Sequence, residues 1–432
     1  MNLEQAGRRR FLKEGPLLAA GLAMGSIATR SSAQAPEAEP PQRSSASRNA
    51  YGERSRFEDH SLRRLAGQQK ADYGFRTPLQ DQTGIITPAP LHYILSHDRS
   101  LQFLPNDPPD IDPRQHRLLI HGMVDRPLMF SLDDLKRLPS VSRFYFLECN
   151  ANGNPTGPYG GARRAVTATV QDTHGLTSCS LWTGVPLPLL LKKAGLQKSA
   201  TWIMAEGAEP PKHFKSIPIE KALDDCLVVY SQNGEAVRPE QGYPMRLLVP
   251  GYEGINSVKW LRRIKVVDEP YMGRAEVGLY PSFRVDGKSR WFQFEMGPKS
   301  VITRPSGGQQ LSGPGFYQIS GLAWSGGGVI RRVEVSTDGG KTWRDAQLQD
   351  PIASKAYTRF VFPWEWNGEE ATIQSRCTDE RNIVQPTKED IARIFGVSVD
   401  YFVTGSNQIN HFNAIQPWKI GSGGSVTNAL FI

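Results

Sequence analysis

The stretch 143-RFYFLECNANGNP-155 decides how the chain is divided and where its chemistry lies. Residues 144–147 are an unbroken aromatic and apolar run between Arg143 and Glu148, the composition of a short buried strand. The run then breaks at Cys149 into asparagines, Gly153 and Pro155, residues of a tight polar loop. A cysteine at such a junction can point its sulfur into a cleft, where it serves as a metal ligand or nucleophile, or it can be a buried structural residue. Both readings stand on local chemistry alone.

Outward from this point the pattern is mixed. A strand is expected over 117–124. A helix over 131–138 has Ser131 as N-cap and two early aspartates favouring its positive end. A second helix, 183–196, stops at Gly195, and strands follow at 200–206, 244–251 and 258–267. Beyond about residue 282 short strands and turns take over. The clearest is 329-VIRRVEVSTDGGKTWRDAQL-348, a hairpin about Asp338-Gly339-Gly340. Strands at 358–366 and 371–379 follow, and 387–396 is the only later helix signal. The expected fold is α+β: a mixed domain over 76–282, then an immunoglobulin-like β-sandwich over 283–432.

The chain has 432 residues, enough for two ordinary cores, and its 41 glycines and 32 prolines suit strands and loops better than a helical bundle. Its formal charge of +8 is a poor case for nucleic acid, because five cations against two acids fall in the first 35 residues. There 7-GRRRFLKEG-15 leads into the apolar run 16-PLLAAGLAMGSIA-28 and the small residues 33-AQA-35. This is a signal peptide, 1–35, and Arg8-Arg9 with Phe11 and Leu12 resembles the twin-arginine type, with a basic general-secretory leader as the alternative. A periplasmic protein with no membrane span after processing is expected. Residues 36–75 are polar and read as a flexible extension.

The cysteines, Cys149, Cys179, Cys226 and Cys377, are too far apart for a Cys-x-x-Cys metal grip or a haem attachment motif. In an exported protein a Cys179–Cys226 disulfide is an open alternative.

Four blocks in one order carry a resemblance. They are 86-ITPAPLHYILSH-97, 117-RLLIHGMVDRPLMFSLDDLKRLP-139, 146-FLECNAN-152 and 240-EQGYPMRLLVPGYEGINSVKWLRRIKV-266. Together they are similar to the sulfite oxidase family of molybdenum enzymes, and within it to the molybdenum subunit of sulfane dehydrogenases (SoxC type). The segment 311–343 resembles the family's dimerisation domain. The resemblance implies a molybdenum-molybdopterin cofactor, with Cys149 as the protein's thiolate ligand to the metal beside two dithiolene sulfurs. It implies pterin and phosphate contacts from Tyr93, His97, Arg246, Ser257, Val258 and Lys259. Tyr280 falls close to the family's active-site tyrosine, with an aromatic packing role as the alternative.

Departures from the family pattern bear on substrate. Gln241 stands for a histidine and Glu209 for an aspartate at the cofactor, while Leu95 and Asn154 stand where sulfite oxidases carry arginines. Without those cations a small dianion loses charge-assisted bonds. Sulfane sulfur on a carrier-protein cysteine therefore becomes the expected substrate, with Arg163 and Arg164 able to substitute in part if the loop folds back. The implied partners are a c-type cytochrome acceptor and a sulfur carrier, in a homodimer or a heterotetramer with the cytochrome. Rival readings are a sulfite dehydrogenase, a molybdenum reductase acting on oxidised methionine, and a binding protein with a vestigial site.

Overall fold

The computed structural model describes residues 62, 64–65, 74–95, 108–156, 160–209, 212–278, 280–284, 286–405 and 409–431. The signal peptide, most of the 36–75 extension and His97 lie outside the described residues.

The first half is built on two five-stranded sheets. In one, Glu235–Ala236, Leu227–Gln232, Thr177–Pro186 and Val141–Glu148 lie in that order, with Arg246–Leu248 pairing to Leu227–Gln232. In the other the order is Leu128–Phe130, Leu118–Gly122, Leu261–Val267, Trp202–Gly207 and Phe214–Pro218. The only parallel pairing there joins Leu118–Gly122 to Leu261–Val267. Between the sheets, Leu118, Ile120, Leu190, Val228, Leu247, Leu261 and Ile264 form one buried core. Helix Leu132–Lys136 starts as its sequence dictates: the Ser131 hydroxyl accepts from the Asp134 N–H while the Asp134 carboxylate accepts from the Ser131 N–H. Helix Leu187–Ala194 is shorter than expected, because residues 183–186 complete the strand Thr177–Pro186. It ends at Gly195, whose φ of +75° is the left-handed stop that glycine takes without steric cost. Among the described residues no helix is long and apolar enough to cross a membrane.

The second half is a sandwich. One sheet orders Lys299–Arg304, Gly315–Trp324, Thr358–Trp366 and Gln347–Gln349, and the other Arg344–Asp345, Ile330–Ser336, Ala371–Asp379, Trp418–Ile420 and Val426–Asn428. The expected hairpin is only partly right. Arg344–Asp345 pairs with Ile330–Ser336, but Gln347–Gln349 crosses to pair with Thr358–Trp366 in the facing sheet. A short strand that changes sheets closes the corner of a sandwich, and alternation along one strand does not record the crossing.

The two halves share a core. Phe146, Val170 and Cys179 from the first pack with Val301, Leu322, Trp324, Val333, Phe360 and Trp418 of the second. The end of Val141–Glu148, where Cys149 begins, is therefore driven against the sandwich.

Candidate active site

Cys149 is 5% exposed and is held by backbone bonds on both sides: its N–H donates to Leu176 O at 2.9 Å and its carbonyl accepts from Asn152 N at 2.9 Å. Gly153 takes a φ of +79°, and a Cβ there would meet Phe412 O at 3.0 Å, so the turn requires glycine for conformation and for space. The loop is thus compact, as the asparagine and glycine content suggests. Burial pushes the Cys149 thiol up to about 12; an Ala151 backbone hydrogen bond and the Arg163 cation oppose this, and Glu253 and Glu148 add to it. A bound cation reverses that balance and deprotonates a coordinating thiol outright.

On one side the loop is fixed by the sandwich. Lys299, fully buried, donates to Glu148 Oε1 at 2.5 Å and to Asn152 O at 3.1 Å. The Trp324 indole donates to Glu148 Oε2 at 2.8 Å, and Asn152 Nδ2 to Oε1 at 2.9 Å. Every acceptor of this charge is thus answered, which a carboxylate in a dry interior requires. A second clamp comes from residues 409–413. Asn150 Nδ2 donates to Asn410 Oδ1 at 2.9 Å, the His411 N–H to Asn150 O at 3.0 Å, and Asn154 Nδ2 to Ile409 O at 2.6 Å. His411 adopts a φ of +59°, and its Nε2 accepts from Gly297 N at 2.7 Å. Burial holds both His411 and the neighbouring His174 well below the ordinary imidazole range, with Lys299 adding to the effect, so both are neutral.

On the other side lies a chain of the sequence-predicted residues. Gln241 Nε2 donates to Tyr93 O at 2.9 Å. Arg246 donates to Gln241 O at 2.9 Å and to Ser257 O at 2.8 Å. Lys259 donates to Glu240 O at 2.8 Å and to Leu95 O at 3.2 Å, two residues before His97. Gly254 presses this group onto the cysteine strand, since a Cβ on it would lie 2.6 Å from the Tyr93 hydroxyl and 2.9 Å from Glu148 O. Tyr93 and Cys149 share one buried cluster, with Trp182 beneath Arg246 at 5.5 Å. Val258 is in the apolar core, and both of its backbone groups are bonded, to Asn256 O and from Leu247 N. Glu209 folds back over Gly207 and reaches the group through the electrostatics of Lys259. Tyr280 is joined through its backbone: its carbonyl accepts from Asn410 Nδ2, while Lys215 Nζ lies 6.0 Å from its ring.

The charges here ask for a ligand. Arg246 and Lys259 meet only neutral acceptors, neither forms an ion pair among the described residues, and Arg246 Nε is buried without a partner. Burial pulls the Arg246 guanidinium down to about 10. Burial, with Arg246 next, pulls the Lys259 ammonium down to about 7. Glu209 is driven up to about 8 by burial, and its Oε2 is also unpartnered. A phosphate restores both cations, and a pterin ring offers donors to the carboxylate, so the residues fit a molybdopterin bound through this group with its metal at Cys149.

The arginine substitutions have a structural meaning. Asn154 is fully buried and fully used, its Oδ1 accepting from Thr156 N and Oγ1 at 3.0 and 2.9 Å. The loop does fold back: Arg163, 3% exposed, donates to Asn154 O at 2.7 Å and is the cation felt by Cys149, while Arg164 donates to Pro155 O. The Cys179–Cys226 disulfide does not form. All four cysteines are free and buried, and these two sit in separate cores. Sequence reasoning missed Glu148, Lys299, Trp324, Asn410, His411, Lys215 and Glu253. A lone acid in the aromatic strand 143–148 was the one available signal.

Two family models match in sequence order: an oxidoreductase molybdopterin binding domain over residues 105–275 and a Mo-co oxidoreductase dimerisation domain over 290–404. The crystal structure of the sulfane dehydrogenase SoxCD from Paracoccus pantotrophus is similar at a TM-score of 0.79 and 36% identity, over 89% of this chain and 94% of that one. Curated relatives include the NADH nitrate reductase of Solanum lycopersicum, 31% identical over 76% of this chain and 39% of its own length. Nitrate reductase 1 of Arabidopsis thaliana is 31% identical over 71% and 35%. The chain thus spans about two fifths or less of the length of these nitrate reductases. Matched over nearly the whole of a solved relative and bearing both domains in order, the chain belongs to the sulfite oxidase family of molybdopterin oxidoreductases and uses a molybdenum cofactor.

Proposed function

We propose that this chain oxidises sulfane sulfur carried on a protein cysteine, in the periplasm after twin-arginine export, and passes the electrons to a c-type cytochrome. The observation that carries this reading is the likeness, over 94% of its length, to a solved sulfane dehydrogenase. When bound, the cofactor supplies two-electron redox chemistry and oxygen transfer. Cys149 supplies a soft thiolate to the metal, and Tyr93, Gln241, Arg246 and Lys259 orient the pterin and its phosphate. The pocket does not reproduce a clamp of arginines for a free dianion, since Asn154 is consumed by Thr156 and Ile409. A substrate delivered on a protein arm gains its binding from surfaces outside the pocket. The dimerisation domain supports an oligomer, which we take to be a homodimer or a heterotetramer with the cytochrome.

Nitrate reduction is a second reading, favoured by the curated relatives. Steady-state kinetics with the carrier adduct, with sulfite, and with nitrate plus a reduced dye separates the alternatives. The carrier adduct is expected to have the highest kcat/KM by orders of magnitude. Micromolar-KM turnover of sulfite, or turnover of nitrate, with an inert adduct would sink the proposal.

A further inference from the structure

Glu253 is 3% exposed, and its Oε1 has no hydrogen-bond partner. It opens the turn Gly254–Asn256 that is pressed against the Tyr93 hydroxyl and the Glu148 carbonyl, beside the residue that carries the thiol. On the neighbouring strand Phe214–Pro218, Lys215 is 4% exposed; its ammonium makes no hydrogen bond or ion pair among the described residues and lies 6.0 Å from the Tyr280 ring. Asn256, in the same turn, is 1% exposed and has its Oδ1 unpartnered. A buried acid and a buried cation that act on each other, with no bond between them, are not a structural ion pair. Unanswered polar groups this deep mark a place for water or for moving protons.

The neighbours make the arrangement specific. Lys215 and Arg290 favour the Glu253 carboxylate while Glu148 opposes it, and burial is the largest influence, raising the acid. Burial lowers Lys215, against the pull of Glu276 and Glu253. Glu276 is already fixed by Ser216 N at 2.6 Å and Gly273 N at 3.0 Å, which leaves Glu253 as the carboxylate free to exchange. Burial therefore raises the acid and lowers the amine, drawing the two toward one another in proton affinity.

We propose that Glu253, with Lys215 beside it, is the proton acceptor of this redox site. The proposal rests on the oxidative reading given above. In each two-electron stage R–S–S⁻ + H2O gives R–S–SO⁻ + 2 H⁺ + 2 e⁻. One sulfur–oxygen bond forms, both O–H bonds of water break, the electrons leave to the cytochrome acceptor, and Glu253 takes the protons one at a time and hands them outward. Water satisfies the pair between turnovers, donating to Glu253 and accepting from Lys215.

The experiment compares holoenzyme with Glu253→Gln, Glu253→Asp and Lys215→Met. Glu253→Gln should lower kcat about a hundredfold with little change in KM and abolish the rise of kcat with pH, and Glu253→Asp should recover part of both. Lys215→Met should move that rise to higher pH, since a cation that favours the carboxylate is removed. Independently of turnover, infrared titration of protein with and without cofactor should show, beside the band of the buried Glu209 acid, a second carboxylic acid C=O band persisting above the ordinary carboxylate range, and Glu253→Gln should lose this second band alone. An unchanged kcat and pH profile in Glu253→Gln, or no such band in the wild type, overturns the proposal. The assay is run with the carrier adduct, sulfite and nitrate, because each reaction releases or takes up the same two protons. An inert adduct beside an active sulfite or nitrate reaction removes the sulfur-carrier reading alone, and the Glu253 comparison is then read on the active substrate.

Discussion

Glu148 and Glu253 are both buried beside Cys149, yet one side of the cysteine is sealed and the other is left open to exchange. The Glu148 carboxylate receives Lys299, Trp324 and Asn152, all from within a dry shared core. Glu253 keeps one oxygen unanswered and feels the Lys215 cation without a bond to it. Equal burial therefore says little about role. The completeness of the hydrogen bonding separates a residue that fixes the loop from one poised to change its state.

The largest expected effect lies between the two. Cys149→Ser should reduce turnover by at least about a thousandfold while leaving the melting temperature near that of wild type, because a hard alkoxide replaces a soft thiolate and the loop's clamps remain. Full turnover in this variant with molybdenum still bound, checked by metal analysis, would remove the ligand assignment.

The sealed side is broken next. Lys299→Met leaves Glu148 buried without its cation, and chemical denaturation should show a loss of about 3–5 kcal/mol. Adding Glu148→Gln should return much of that loss, since the uncompensated charge goes with it. A single variant as stable as wild type would mean that the pair does not hold the loop.

Cofactor retention tests the phosphate side. Lys259→Met should weaken retention about ten- to a hundredfold, measured as molybdenum remaining after gel filtration. In cofactor-free protein the sign reverses at low pH. The folded Lys259 has a pKa of about 7, below its ordinary value, so the unfolded chain binds more protons between the two values. The cost of the buried cation is full below about pH 7 and fades only as pH rises from there toward the ordinary lysine value, so Lys259→Met should be the more stable protein at pH 6 and the gap should narrow steadily from about pH 7 to about pH 10.

The smallest effect sharpens the contrast most. Glu253→Gln should change stability near pH 5 by no more than about 1 kcal/mol, since no bond to its Oε1 is lost. Burial raises the folded carboxyl, so wild type loses stability as pH rises above the ordinary carboxylate range and the glutamine variant does not. Melting curves between pH 5 and 9 should therefore diverge in favour of the variant. A large loss at pH 5 would make Glu253 another Glu148.

The division into halves and the strand ending at Cys149 were legible because apolar runs, turn residues and caps are local. Ser131 with Asp134, Thr387 with Asp390, and Gly195 carry their own instructions. That Tyr93, Gln241 and Arg246 join in one bonded group was not readable from their spacing, and their assignment to a pterin rests on the resemblance. What stayed hidden was contact at long range. Lys299 lies 151 residues from Glu148 and Asn410 lies 260 from Asn150, and a lysine opening an apolar strand looks like any other edge residue until its partner is known. The Gln347–Gln349 crossing was missed because alternation reports which face a residue shows and not which sheet it joins.

The bond from Lys299 to Glu148 also limits what can be done with this protein by transplantation. A donor sandwich that matches in outline but lacks a cation and an indole at these two places would strand a charge next to Cys149. The second half thus fixes the loop that carries Cys149, and a graft that treats it as a detachable handle releases that loop.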